Sequence, residues 1–225
     1  MKKNCVALIP ARGGSKGLKN KNLKKINGKT LTELAINFAI NSKYFNKIIL
    51  SSDSKKILNH SKKNIILHKR NRVLSSDKSS VVDTVKEVIF KYNLTSYDFM
   101  FILEPSSPLR NIKDLQQSYK ILEKGYDSVC SFSEAFLNPL RAWIIKNNYI
   151  IPFFKSYLNL KPRQSLPKCY QPIGNIIGFD IKRFLKENKN IFFGKFGYFL
   201  VNRKRAVDID DAFDFFIVKN ILLKK

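Results

Sequence analysis

The sequence predicts one α/β domain, in which a mostly parallel sheet lies between two layers of helices. Apolar runs of strand length alternate along most of the chain with segments of helical period. The first apolar run, from Cys5 to Ile9, does not alternate with polar residues, which is typical of a strand buried on both faces. A chain of 225 residues with 44% hydrophobic residues is long enough to bury one full core.

The elements follow from periodicity and from capping signals. Thr30 with Glu33 forms a capping-box pattern, Ser80 with Asp83 predicts a second cap, and Asn111 predicts a third. The predicted strands are 5–9, 47–51, 65–68, 99–103, 128–132, 175–179 and 198–201. The predicted helices are 30–41, 54–60, 80–92, 111–123 (closed by Gly125), one after residue 180, and 212–223.

Residues 137–172 interrupt this alternation. The segment holds most of the prolines, and short apolar pieces flank Asn147 and Asn148 in the manner of a hairpin. We therefore expect one domain over residues 1–225, with 137–172 as an excursion that serves as a lid or a subunit contact.

A glycine-rich basic loop follows the first predicted strand, in the stretch "IPARGGSKGLKNKN". Glycine permits positive φ and removes Cβ bulk, so backbone N–H groups can wrap an anion while Arg12, Lys16 and Lys21 supply charge. The stretch matches neither the dinucleotide fingerprint nor the Walker loop, which disfavours NAD and the usual ATPase fold. It predicts a polyphosphate cradle, and a tight turn with solvated lysines remains the alternative.

The second candidate site is "VDIDD" near the end of the chain. On an extended segment, Asp208 and Asp210 point the same way while Ile209 turns into the core. Two carboxylates on one side repel each other unless a cation lies between them, and hard oxygen ligands suit Mg²⁺. The alternative is that Asp210 or Asp211 caps the final helix, which we expect of one of them.

Asp53 ends another predicted strand, in the sequence "SSD". Its carboxylate is a candidate third metal ligand or the cap of the helix that begins near Ser54. We favour the cap, because aspartate is a preferred residue at helix N-termini.

The formal charge of +25 and a pI near 10.0 call for an anionic partner, which can be nucleic acid, a membrane surface or a small acidic substrate. A lysine-rich composition also arises by compositional drift. No helix-turn-helix, RNA-recognition signature or zinc knuckle appears, so we expect no nucleic-acid partner. The aromatic residues Phe213, Phe215, Phe216 and Trp143 are expected in the core rather than as base-stacking platforms.

The three cysteines, Cys5, Cys130 and Cys169, are far apart and lack metal-ligand spacing, which favours a reducing compartment. The apolar run before Pro10 is too short for a signal peptide, and no segment has the length of a membrane span. We therefore expect a cytoplasmic protein that has no membrane partner.

Five motifs together resemble a known family, the acylneuraminate cytidylyltransferases, also called CMP-sialic acid synthetases. The similarity covers nearly the whole chain. The motifs occur in the family's order and spacing and are "IPARGGSKGLKNKN", "SSD" at 51–53, "EPSSPLR" at 104–110, "KPRQSLPKCYQP" at 161–172 and "VDID" at 207–210.

The resemblance implies that CTP and an acidic nine-carbon keto sugar react, with Mg²⁺, to give a CMP-sugar and pyrophosphate. It implies catalytic roles for Arg12, Lys21, Asp208 and Asp210, with the two aspartates as metal ligands. It places at the nucleotide Ala11, Arg12, Gly13, Gly14, Ser15, Lys21, Asn22, Arg70, Ser79 and Ser80. It places at the sugar Glu104, Ser107, Arg110, Arg141, Arg163 and Gln171. It also implies a homodimer formed through 137–172.

Two positions depart from the family's pattern. Glu104 stands where these enzymes usually carry Gln, and Gln171 stands where they carry a second Arg. Such changes at positions that face the sugar suggest different substituents, as in legionaminic acid. The order of "PIGN" is also shifted, so Asn175 receives no role. An enzyme of the CMP-Kdo type and a nucleotidyltransferase that uses UTP remain alternatives.

Overall fold

The structure is a computed structural model, and it describes residues 3–60, 64–71, 80–154, 160–187 and 189–224. The strands are β1 (Cys5–Pro10), β2 (Lys25–Ile26), β3 (Lys29–Thr30), β4 (Lys47–Ser52), β5 (Ile66–Lys69), β6 (Phe99–Ile102), β7 (Ser128–Glu134), β8 (Trp143–Lys146), β9 (Tyr149–Pro152), β10 (Tyr170–Asp180) and β11 (Phe196–Leu200). The helices are α1 (Leu31–Ser42), α2 (Lys55–Leu58), α3 (Val81–Lys91), α4 (Ile112–Glu123), α5 (Ile181–Glu187) and α6 (Ala212–Leu223).

Seven strands form the central sheet in the order β11-β7-β10-β6-β1-β4-β5. Every neighbouring pair is parallel except those of β10, which runs antiparallel to both β6 and β7. The core lies on both faces, since Ala7 and Ile9 of β1 pack on the side of α1 and α4 and Val6 and Leu8 pack on the side of α3 and α5. The prediction of a three-layer, mostly parallel α/β fold is confirmed.

The strand predicted at 175–179 differs from the observed strand in length and direction. The expected strand 175–179 is part of β10, which begins at Tyr170, inside the predicted excursion. Its pairing with β7 shifts register between Ile173 and Ile177. A period of two residues predicts that a strand exists, but it contains no information about the strand's partner or direction.

The predicted caps of the long helices are confirmed. Complete capping boxes begin α1, α3, α4 and α6, and Asp211 caps α6. The assignment of Asp53 as a helix cap is wrong. Ser54 occupies the N-cap of α2 without a side-chain bond, and Asp53 accepts a hydrogen bond from the Gly13 amide instead.

The excursion contains the predicted hairpin. Among the described residues, strands β8 and β9 pair only with each other, and the connecting Asn147 and Asn148 have φ of 49° and 64°. Positive φ at both central residues is the geometry that matches the twist of a two-residue hairpin. Residues 155–159 of the segment lie outside the described residues.

Three of the four aromatic residues expected in the core are exposed. Phe213 is 69% exposed, Phe216 is 63% exposed and Trp143 is 45% exposed, whereas Phe215 is partly buried against α6's small core cluster. The expectation was wrong because α6 and the hairpin carry apolar side chains on faces that this chain leaves uncovered.

None of the helices in the described part of the chain has the length and apolarity that a membrane crossing requires.

Candidate active site

The candidate site lies at the carboxyl ends of the parallel strands. The glycine-rich loop leaves β1, the "SSD" segment ends β4 and "EPSSPLR" follows β6. These strands are neighbours in the sheet, so their carboxyl ends meet at one edge. Ligands of open α/β sheets bind beyond this edge.

Close packing requires two of the three loop glycines, Gly13 and Gly17, whereas a Cβ on Gly14 would have open space. A Cβ on Gly13 would lie 2.9 Å from Cβ of Ser54, and a Cβ on Gly17 would collide with the backbone oxygen of Asp210. Neither these glycines nor Gly14 has positive φ, so the expectation that the loop uses left-handed glycines is wrong. The loop therefore packs tightly against both "SSD" and "VDID".

Lys21 joins the basic loop to the acidic segment. Its Nζ donates to the backbone oxygen of Ile209 at 2.5 Å and lies 3.1 Å from Oδ1 of Asp210. Asn22 is buried, and its amide donates to the Arg12 backbone oxygen at 2.9 Å. The bonds of Lys21 hold the loop against the "VDID" segment, although the two segments are about 190 residues apart in the sequence.

The two aspartates of "VDID" line one cleft. Ile209 is fully buried between them, and its N–H donates to the Ser106 oxygen at 2.9 Å. Asp208 accepts a hydrogen bond from the Ser107 hydroxyl at 2.8 Å, while the Asp210 side chain is 79% exposed. The cleft has a volume of about 480 Å³ and is lined in part by both aspartates, Gln171 and Gly174.

Glu104 is a partly buried carboxylate beside this cleft. Burial raises its pKa to about 7, and the Asp208 carboxylate adds to the rise, whereas Arg110 and Lys21 oppose it. A Cβ on Gly174 would lie 2.6 Å from Oε2 of Glu104, so only glycine leaves room for the carboxylate. Acidic groups therefore crowd this part of the site, and a cation there would relieve their repulsion.

Arg110 is buried and holds two backbone segments together. Its Nε donates to the Asn175 oxygen at 2.8 Å, and a second nitrogen donates to the Glu104 backbone oxygen. Burial lowers its pKa to about 10, and Glu104 and Asp208 oppose this effect. The resemblance places Arg110 at the sugar, but in the structure its guanidinium bonds to the backbone that frames the pocket.

On the other side of the loop, Arg70 donates to the Ser51 backbone oxygen at 2.9 Å. Burial lowers its pKa, with Asp53 opposing and Arg12 adding to the effect. Nε of Arg70 and Oγ of Ser15 are two of five buried polar atoms that have no hydrogen-bond partner among the described residues. Buried polar groups are rarely left unpaired, so both atoms are available to a ligand that binds at the loop.

The remaining expected residues lie in different parts of the molecule. Ser80 caps α3 and bonds Asp83, and Ser79 lies outside the described residues. Gln171 lines the 480 Å³ cleft with Asp208. Arg163 lines a different cavity of about 380 Å³. Arg141 is exposed, and among the described residues it lines neither cavity. In the described part of one chain, neither arginine therefore lines the cleft of the two aspartates.

Sequence reasoning missed a buried ion pair that supports "VDID". Arg205 donates two hydrogen bonds to the Asp114 carboxylate, at 2.6 and 3.0 Å, and Asp114 is buried. The predicted cap named only Asn111, and nothing local in the sequence indicates that Asp114 has a partner 91 residues away. In the described part of the chain, no group of three or more His, Cys, Asp or Glu residues is arranged to hold a metal ion.

A parallel sheet with a basic glycine loop and an acidic pair at its carboxyl edge defines an α/β protein of the nucleotidyltransferase class. A family model described as cytidylyltransferase matches residues 6–149. The chain belongs to the cytidylyltransferase family.

Relatives and solved structures agree with this family. The chain is 32% identical over 224 residues to the CMP-N,N'-diacetyllegionaminic acid synthase of Campylobacter jejuni, covering 96% of this chain and 94% of the relative. It is 30% identical to the N-acylneuraminate cytidylyltransferase of Escherichia coli, covering 100% of this chain and 54% of that protein. CMP:2-keto-3-deoxy-manno-octonic acid synthetase, in a structure with CTP, shares the fold with a TM-score of 0.69 and 15% identity, covering 98% of this chain and 99% of that chain.

Proposed function

We propose that this protein transfers the cytidylyl group of CTP to an acidic nine-carbon keto sugar and releases pyrophosphate. One observation carries the proposal, the direct contact between the basic loop and the acidic segment through Lys21 and Asp210. Cations that suit phosphates and carboxylates that suit a metal ion thus lie at one point of the molecule. Phosphoryl-type transfer depends on alignment and charge neutralisation, which this arrangement provides.

The loop is suited to the triphosphate. Arg12, Lys16 and Lys21 supply positive charge, and the unpaired Oγ of Ser15 is a hydrogen-bond donor. A nucleotide and a sugar carboxylate repel each other by about 1 to 4 kcal/mol per charge pair at contact, depending on the local dielectric. We therefore assign phosphate binding to these cations and, from the family resemblance, nucleoside contacts to Arg70, Ser79 and Ser80.

The carboxylates of Asp208 and Asp210 fit a magnesium site. Mg²⁺ is commonly held by one or two carboxylates, with its other positions left to water and substrate phosphates. Two carboxylates facing one cleft meet this requirement without a third acidic ligand. When bound, Mg²⁺ would neutralise phosphate charge and favour attack at the α-phosphorus.

The sugar is proposed to lie in the 480 Å³ cleft. Gln171 and Gly174 line the cleft, and Glu104 lies beside Gly174, so the described wall offers hydrogen-bond acceptors to the sugar's hydroxyl and amide groups. A carboxylate at 104 in place of an amide can only accept hydrogen bonds when ionised, which favours a sugar that presents donors there. This supports a bacterial nonulosonic acid such as legionaminic acid as the substrate.

We further propose that the active form is a homodimer. None of the described residues that line the cleft is a lysine or arginine, although the sugar is an anion. Arg141 and Arg163 lie on the excursion, whose hairpin exposes Ile145 and Tyr149 to 80% and 73%. Pairing of two excursions would bury this apolar surface and bring one chain's arginines to the other chain's cleft.

The proposal of a cytoplasmic location rests on chemistry. The described structure contains three free cysteines, two of them buried, and CTP is an intracellular nucleotide. A fusion to a fluorescent reporter, followed by fractionation, tests this location.

The function is tested by pyrophosphate release from the purified chain with Mg²⁺. CTP, UTP, ATP and GTP are each paired with N-acetylneuraminic, legionaminic and pseudaminic acids and with Kdo. We expect release with CTP and a nonulosonic acid. Activity with UTP alone, or with Kdo alone, would identify one of the alternative enzymes. No release with any pair, together with tight, salt-sensitive binding of nucleic acid, would favour a binding protein.

A further inference from the structure

We propose that His68 is a positioning residue for the nucleotide, acting through Ser51 on both the glycine-rich loop and Arg70. The inference deepens the proposed function and rests on it. His68 lies on β5, outside the five motifs that resemble the cytidylyltransferases.

The His68 imidazole is fully buried and joins three elements. Its Nδ1 lies 2.8 Å from the Ser51 hydroxyl on β4, and its Nε2 lies 3.2 Å from the Glu87 carboxylate on α3. The Tyr92 ring packs edge-on against it, with the centroids 5.9 Å apart. The ring therefore fixes the position of β4 relative to β5 and α3 where the strands end.

Ser51 is the shared anchor of two nucleotide-binding elements. Its backbone oxygen accepts a hydrogen bond from the Ala11 amide at 2.9 Å and one from the Arg70 guanidinium at 2.9 Å. The Arg70 amide also donates to the Ser52 oxygen at 2.9 Å. A shift of Ser51 would thus move the first residue of the loop and the Arg70 side chain together.

The neutral form of histidine suits this position. Burial lowers the pKa of His68; the Glu87 carboxylate opposes this effect, while Lys91 and Arg70 add to it. With Nε2 facing Glu87, we assign the proton to Nε2, which leaves Nδ1 to accept from the Ser51 hydroxyl. A neutral histidine in this tautomer accepts the Ser51 hydrogen bond and faces Glu87 at 3.2 Å, a contact without hydrogen-bond geometry, and it adds no buried positive charge.

A histidine that only fills the core would affect stability without selectively affecting the nucleotide. A positioning residue affects nucleotide affinity in particular, because its contribution is the geometry of Ala11 and Arg70. The two cases separate in the dissociation constant for CTP and in kcat at saturating CTP.

The test measures CTP binding by calorimetry with Mg²⁺, and turnover by pyrophosphate release, for matched variants. His68→Leu removes the hydrogen bond to Ser51 and the contact with Glu87 at similar volume. We expect CTP affinity to fall about 5- to 20-fold, the effect of losing one buried hydrogen bond and leaving its partner unpaired. Turnover at saturating CTP stays within about twofold. His68→Asn retains a polar atom near the Nδ1 position and should recover most of the affinity.

Two further variants complete the set. Ser51→Ala deletes only the hydroxyl and should weaken CTP binding in the same direction, and it decides the question if His68→Leu does not fold. His60→Leu is the control, because His60 is the chain's other histidine and pairs with Glu33, at 3.4 Å, on a partly exposed surface. It should leave CTP affinity unchanged.

The outcomes are distinct. Unchanged CTP affinity in Ser51→Ala and in a folded His68→Leu would overturn this inference but not the proposed function. An equal loss of CTP affinity in His68→Leu and His68→Asn would have the same meaning. A wild-type chain that neither binds CTP nor releases pyrophosphate overturns the proposed function and, with it, the inference.

Discussion

At the scale of single residues, the site is governed by the crowding of carboxylates. Glu104, Asp208 and Asp210 lie near one another, and Ser107, Lys21 and Arg110 supply hydrogen bonds or positive charge. The carboxylates of Asp208 and Asp210 make ionisation of Glu104 less favourable. The proposed magnesium ion would offset this repulsion.

Glu104 gives a prediction for the dependence of stability on pH. Its folded pKa of about 7 lies above the ordinary value of 4.5, so the folded state retains a proton that the unfolded state loses. Its contribution to stability is therefore present in full below pH 4.5 and is lost as the pH rises to 7. By linkage the loss is at most about 3 kcal/mol.

Urea unfolding of wild type and Glu104→Gln in metal-free buffer at pH 5 and pH 8 checks this prediction. The free energy of unfolding of the wild type should fall relative to that of the variant between these pH values. Parallel changes in the two proteins would contradict the raised pKa.

The acid pair gives a prediction for turnover. Asp208→Asn and Asp210→Asn keep the shape of the side chains and remove the charge that a magnesium ion requires, so kcat should fall by about 100-fold or more while the fold persists. Pyrophosphate release and circular dichroism measure the two effects. Asp180→Asn is the control, because Asp180 lies at the end of β10 that is away from the cleft. Retention of activity within a few-fold would remove the pair from the metal site.

At the scale of elements, the sequence predicted what is local and missed what is not. The capping boxes were correct, and most strand bounds were correct to within two residues, because each depends on neighbours within four residues. The antiparallel direction of β10, the bond of Asp53 to the Gly13 amide and the pairing of Asp114 with Arg205 depend on residues that meet only in the folded chain. The motifs located the loop and "VDID", but their mutual contact through Lys21 had no signal in the sequence.

The buried ion pair gives a prediction at this scale. Arg205 lies in the turn before "VDID", and its loss would leave Asp114 buried without its charged partner. Arg205→Met should lower the free energy of unfolding by about 3 kcal/mol. It should also reduce turnover, because the segment that carries Asp208 loses its anchor.

Denaturant unfolding and pyrophosphate release measure these two losses. Lys204→Met, at the exposed neighbouring position, is the matched control and should change neither. Equal behaviour of the two variants would show that the ion pair does not support the site.

At the scale of the whole molecule, the charge of +25 and the uncovered apolar hairpin are the two dominant features. The charge is spread over many elements, and only the part near the glycine-rich loop lies at the site. The hairpin, in contrast, concentrates exposed Ile145, Tyr149 and Ile150 on a two-stranded sheet that pairs with no other strand in the described part of the chain. Such a patch is typical of a surface that another protein chain covers.

The dimer proposal predicts a change in assembly. Replacing Ile145 and Ile150 with lysine should convert a dimer into a monomer, because charge at the centre of an apolar interface remains unpaired. Light scattering after size exclusion measures the mass. The monomer should also show a higher KM for the sugar, since Arg141 and Arg163 act from the partner.

Phe90→Lys is the matched control, because Phe90 is 63% exposed on α3, away from the hairpin. It should leave both the mass and the KM unchanged. A wild-type monomer with full activity would contradict the proposal.

The central claim is that the N-terminal glycine loop and the C-terminal aspartates hold one cytidine nucleotide between them. A crystal structure of the chain with CTP tests it most directly. We expect the triphosphate over residues 12–22, with its α-phosphate facing Asp208 and Asp210. CTP bound instead in the 380 Å³ cavity beside Arg163, or at any place remote from both segments, would contradict the account.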